Sequence, residues 1–212
     1  MAIRNDFTAG EVLAAADLND TFGSKANYPS GGSNGDLLTK SGTTTAWAAP
    51  TPQGLTLITA ESFSAVSAVN INGCFTSTHE NYRIVIRCVL ASGNADLGLR
   101  MRAAGADDTS ANYATQFLRG DGSTASATRT TTQTSMVVAV ANTAVTTASF
   151  DLFSPNVSTP TVGMAMSMWQ IATPLIEPRG ITHNVATAYD GFSIIPASST
   201  VTGTIRIYGY RN

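Results

Sequence analysis

From Leu55 onward the chain is cut into short stretches in which apolar and polar residues alternate with a period of two, each bounded by Gly, Pro, Asn or Ser. That pattern fits strands with one buried face and does not fit a helix, whose apolar stripe recurs every three to four residues. In YRIVIRCVL, Ile84, Ile86, Cys88 and Leu90 share one face while Arg83 and Arg87 take the other. In the next stretch, ADLGLRMRAAG, Leu97, Leu99 and Met101 point inward opposite Arg100 and Arg102, and the intervening ASGN reads as a hairpin turn. Further strands are expected in TSMVVAVAN, ASFDLFSPN, TVGMAMSMWQIA, YDGFSIIPA and VTGTIRIYGYRN. Met164, Met166 and Met168 alternate and so line one face of a strand, a run that Pro174 and Pro178 are expected to end. The polar stretch 120–135, GDGSTASATRTTTQTS, has no apolar face and is expected as a long loop or an exposed edge hairpin, with Asp121-Gly122 in a tight turn. Many short strands with frequent turns and no helical interludes predict an all-β, antiparallel β-sandwich of jelly-roll type over residues 55–212. No repeat of 20 to 50 residues is present to suggest a β-helix or propeller.

The beginning of the chain reads differently. In FTAGEVLAAADLNDTF, residues 7–22, Thr8 and Glu11 form a capping box, and Phe7 with Val12 forms a hydrophobic staple. Good helix formers follow, and Gly23 supplies a stop. Ala14, Ala15, Leu18 and Phe22 make one stripe, which Val12 and Leu13 widen. A helix this short needs cover from elsewhere, so Phe7, Thr8, Glu11, Val12, Leu13, Leu18 and Phe22 are the expected docking residues for a partner. Residues 24–54 are dense in Gly, Pro, Ser and Thr and read as an extended arm, whose periodic pieces DLLTK and TAWAAP are separated by the turn signal Ser41-Gly42. Leu37, Leu38 and Trp47 on that arm also need cover. The expected organisation is a capped helix over 1–23, an arm over 24–54 and a sandwich over 55–212.

Charged residues make up 12% of the chain, about half the usual ~25%, and Thr, Ser, Ala and Gly take their place. A net charge of −2 without a Lys/Arg cluster gives no footprint for nucleic acid or an anionic membrane. No apolar run is long enough to insert in a bilayer, and MAIRNDFTAG has no signal-peptide core, so synthesis and assembly in the cytoplasm are expected. Cys74 and Cys88 are too few for a disulfide framework and are expected as free thiols.

Chemistry-bearing patterns are sparse. His79 and His183 lack metal-ligand spacing and read as surface or rim residues. Asp107 and Asp108 would point to opposite faces of a strand and so could not act as a catalytic pair; a turn is the better reading, and only a weak Ca²⁺ site with Asp121 offers an alternative. No nucleophile elbow or phosphate loop appears. No catalytic residue, cofactor or metal ligand is assigned, and a non-enzymatic role is expected. If a glycan is bound, Tyr113, Tyr189 and Tyr210 are candidate stacking rings.

Three segments, in this order, carry a resemblance. FTAGEVLAAADLNDTF resembles the short N-terminal segment of many tailed-phage virion proteins. NGDLLTKSGTTTAWAAP is similar to a segment that often follows it in phage fibre proteins, and YDGFSIIPASSTVTGTIRIYGYRN resembles the last strands of a phage β-sandwich domain. The resemblance implies a virion structural protein, assembled in the host cytoplasm. It further implies a homotrimer, an N-terminal anchor on another virion protein (capsid, portal or tail), and an outward sandwich for host attachment through a surface glycan. Within that class a tail fibre or spike is expected first and a head fibre or capsid decoration next. A free carbohydrate-binding module and a depolymerase are the readings outside it.

Overall fold

The computed structural model describes residues 31–41, 44–50, 54–169 and 176–211. The chain divides into two compact units, residues 1–52 and 53–212. In the first, β1 (Leu37–Ser41) and β2 (Thr44–Ala48) pair as an antiparallel hairpin, with Leu38 opposite Trp47. The Trp47 ring lies over Gly32, where a Cβ would come within 2.6 Å of the indole. The expected arm therefore contains regular structure where DLLTK and TAWAAP fall. The helix expected over 7–22 lies outside the described residues, and among the described residues there is no helix.

The second unit contains β3 (Leu55–Val66), β4 (Val69–Ile71), β5 (Asn81–Leu90), β6 (Asn94–Ala103), β7 (Ala106–Asp107), β8 (Tyr113–Asp121), β9 (Thr124–Gln133), β10 (Met136–Asn142), β11 (Thr146–Phe153), β12 (Thr161–Trp169), β13 (Ile176–His183), β14 (Gly191–Pro196) and β15 (Val201–Tyr210). All pairings are antiparallel. An eight-stranded sheet runs β3-β15-β5-β11-β12-β13-β8-β9, and a smaller sheet runs β10-β6-β14-β4 with β7 on β6. The result is a sandwich-like body in which β10 packs across β5, β11, β12 and β13. Its core is built from the inward halves of the alternating strands: Ile84 and Ile86, Leu97, Leu99 and Met101, and Ile205 and Ile207 are all fully buried. Phe192 joins the layers, stacked 5.6 Å from Phe75 and edge-on to Phe150 at 6.4 Å.

Two sequence expectations are corrected. ASGN does not close a hairpin: both edges of β5 are already taken, by β11 and β15, so residues 91–93 carry the chain across to β6 in the other sheet. Turn residues specify a change of direction, not the pairing that follows it. Pro178 does not end a strand. It sits within β13, where the β8 register has no pair for residues 177 and 178, so its missing N–H falls in a gap of the ladder. Pro174 lies outside the described residues. The stretch 120–135 is an exposed edge hairpin: β9 is the last strand of the large sheet, joined to β8 by a two-residue turn in which Gly122 has φ +57°.

Candidate functional site

The unusual surface of the sandwich is the outer face of the eight-stranded sheet. β12 sends Gly163, Ala165 and Ser167 inward and Val162, Met164, Met166 and Met168 outward, at 46, 60, 43 and 52% exposure. Close packing explains the choice: a Cβ at Gly163 would lie 2.4 Å from the Asp151 carbonyl and 3.1 Å from Leu152 and Ile181. The small residues are needed inside, which leaves the large ones outside.

β13 is inverted in the same way, with Glu177 and Arg179 buried and Ile176 exposed. The registers place Met166 between Ser149 and Pro178, Met168 between Thr147 and Ile176, and Met164 between Asp151 and Gly180. Val85 beyond β11 and Leu118 on β8 extend the apolar area to either side. A groove of about 440 Å³ opens here between Met164, Met166, Pro178 and Leu118. Its carboxylate, Asp151, accepts a bidentate pair from Arg83 Nε and Nη2 at 2.9 and 2.8 Å, and the Tyr210 hydroxyl at 2.7 Å. The surface thus offers dispersion and hydrophobic contact through adaptable thioethers, bordered by the exposed Arg87 and Arg206.

Inside the same strands lies a charged cluster. Glu177 is fully buried and takes ion pairs from Arg119 and Arg179. The Arg179 guanidinium stands 4.8 Å from the centre of the Phe117 ring, while its Nε has no hydrogen-bond partner.

A second cluster fastens β13 to the segments around it. His183 Nε2 lies 3.0 Å from Asp108 Oδ2 and 2.7 Å from Tyr189 Oη, the Tyr189 hydroxyl donates to Asp108 at 2.8 Å, and the imidazole stacks on Tyr113 at 3.9 Å. Burial pushes the Asp108 carboxyl up, but hydrogen bonds from Ser110, Tyr189 and His183 outweigh it and hold the group at about 2. With His183 and Tyr189 both buried, this network fastens β13 to the segments that carry Asp108 and Tyr189.

The sequence candidates fall as follows. Phe7, Thr8, Glu11, Val12, Leu13, Leu18 and Phe22 lie outside the described residues. Leu38 and Trp47 are opposite each other on the β1–β2 hairpin, while Leu37 pairs with Ala48 and points to the other face; Leu38, Trp47 and Leu37 are 40, 37 and 57% exposed. His183 is a core residue, not a rim one. Tyr113 and Tyr189 are buried, so neither ring can stack on a sugar, and Tyr210 is tied to Asp151. Asp107 and Asp108 do not form the expected turn: Asp107 belongs to β7 and pairs with Arg102, whose guanidinium also reaches Asn72, Asn70 and Ser193, while Asp108 is held separately by Tyr189 and His183. Among the described residues no group of three His, Cys, Asp or Glu is placed to hold a metal ion. The Met-rich face was not singled out from sequence. Alternation alone puts Met164, Met166 and Met168 on one face but does not say which face is outward; the close packing at Gly163 decides it.

Comparison with known proteins finds no matching family model, no matching curated protein and no matching solved structure.

Proposed function

We propose that this chain is a non-enzymatic bacteriophage virion structural protein. In this reading it is a homotrimeric short fibre or spike, anchored through its N-terminal segment to another virion protein. It presents a jelly-roll-like sandwich for attachment to a host surface glycan. The observation that carries the reading is the collinear order of the three phage-like segments, FTAGEVLAAADLNDTF, NGDLLTKSGTTTAWAAP and YDGFSIIPASSTVTGTIRIYGYRN. Supporting it are an all-β body that follows a separate hairpin unit, and exposed apolar side chains on each unit, Leu37 and Leu38 on one and the methionine stripe on the other. Uncovered apolar surface of this kind suits a component of an assembly better than a free module.

The test is immunogold labelling of virions purified from cells that produce the chain, with antibodies raised against residues 55–212. Label at the tail is expected. Label on the capsid would make it a head fibre or decoration protein, and particles without the chain would overturn the virion reading.

A further inference from the structure

We propose that the Met-rich outer face of the eight-stranded sheet is the surface on which a second copy of this chain docks. The inference rests on the self-assembly part of the function proposed above, and places the contact on the sandwich itself. In a three-fold assembly each stripe would face the common axis.

The first ground is inverted polarity. β12 and β13 bury Ser167, Glu177 and Arg179 and expose Met164, Met166, Met168 and Ile176. A strand pair that keeps ions inside and thioethers outside leaves, among the described residues, an apolar surface that a second contact can cover.

The second ground is area. From β5 to β8 the patch spans five strands at ~4.8 Å spacing, about 19 Å. From Val162 to Met168 it runs six steps of ~3.3 Å, about 20 Å, giving a central patch of roughly 400 Å² in which the methionines, Ile176, Leu118 and Val85 lie among Ser149, Thr147 and the Arg83–Asp151 pair. The whole face, eight strands by about ten residues, offers roughly 1,100 Å², more than the ~800 Å² per partner of a standard interface. A centre richer in apolar side chains than its surround has the anatomy of an interface core and rim.

Charge is the third ground. The ionised pair at the centre, Arg83 and Asp151, is mutually neutralised, and the exposed Arg87 and Arg206 lie to the β5 and β15 side of the stripe. Copies converging on the stripe bury no unpaired charge at its centre. Flexible, unbranched methionines can then repack against their own copies without the fit that Ile or Val would demand.

The experiment uses the full chain. A brief hydrogen peroxide pulse, read by peptide mass spectrometry, is applied over a dilution series whose mass is followed by light scattering. Met166→Arg is carried in parallel. Met101 and Met136, both fully buried, serve as internal reporters that the fold is intact. The expected result is an oligomer in which Met164, Met166 and Met168 oxidise about ten-fold or more slowly than after dilution to monomer, and a Met166→Arg chain that is monomeric with Met164 and Met168 fully reactive. If Met101 or Met136 reacts in that variant, Leu118→Arg on the same face replaces it.

An oligomer whose three stripe methionines oxidise at the monomer rate would overturn the docking surface. It would leave self-assembly standing, to be sought at Leu37, Leu38 and Trp47. A full chain that is monomeric at every concentration, with the stripe freely oxidised, would overturn both.

Discussion

Replacing Glu177 by Gln removes the shared charge from a cluster in which Arg179 is 2% and Arg119 35% exposed at the side chain. The two arginines should respond differently. Arg119 reaches solvent and loses little, within the ~1 kcal/mol of an exposed pair. Arg179 is left as a buried cation, and breaking a buried pair from one side costs about 3 to 5 kcal/mol. The Phe117 ring beneath Arg179 and the remaining amide oxygen of Gln retain part of the stabilisation, which points to the lower end, about 3 kcal/mol. With a urea m-value of about 2 kcal/mol/M, the midpoint should fall by about 1.5 M.

The assay is urea unfolding at pH 7 at one fixed protein concentration, since self-association would move the midpoint. Arg119→Gln should shift it by no more than about 0.5 M. The double change Glu177→Leu with Arg179→Leu should recover most of the loss, because a buried ion pair is often replaced by apolar residues at no net cost. A Glu177→Gln shift under about 0.5 M, or a double variant no better than the single, would refute the idea that the cost lies in the stranded Arg179.

Burial pushes the Cys74 thiol up to about 12 and the Cys88 thiol to about 11. Neither should react with Ellman's reagent at pH 8 while folded, and both should react in denaturant; rapid native labelling would contradict the burial. Asp108 titrates below its ordinary range of about 3.9, so its stabilising contribution is complete above about pH 4 and is lost as pH falls through about 2. Asp108→Asn should therefore flatten the loss of stability between pH 4 and pH 2, and an unchanged acid limb would refute its role in the fastening. Gly203→Ala would place a Cβ 2.2 Å from the Arg87 carbonyl and 2.8 Å from Cys88. Thermal unfolding should report a loss of about 1 to 3 kcal/mol or more, and a melting temperature within a degree of the parent would show that the β15–β5 pairing relaxes freely.

What could be read in the sequence was whatever depends on local periodicity. β5 has the faces its alternation implies, and Leu97, Leu99 and Met101 of β6 are buried as expected. The edge position of β9 followed from a stretch with no apolar half. What could not be read was decided by non-local packing. Period two shows that Met164, Met166 and Met168 share a face, but the interior has room only for Gly163, Ala165 and Ser167 where β12 lies close to its neighbours. Arg102 looked solvent-facing by alternation and is buried, because Asn70, Asn72, Asp107 and Ser193 arrive from β4, the link after it, β7 and β14 to satisfy it. ASGN marks a turn but not a hairpin, since the neighbours of β5 are fixed by residues at least 58 positions further along, as the Cys88–Thr146 pair (146 − 88 = 58) shows.

The pairing of β3 with β15 has a mechanical consequence. β3 is an edge strand, with Leu55 at its head opposite Tyr210 and Val66 at its tail opposite Val201. Tension reaching Gly54 along the strand axis loads that ladder in shear, so its hydrogen bonds resist together. The same pull directed sideways opens it pair by pair, like a zip. Either way β3 yields first, and withdrawing Ile58, Phe63 and Val66 uncovers the core they pack against. The direction of the pull, more than the total stability of the sandwich, then sets the force at which the sandwich begins to give way.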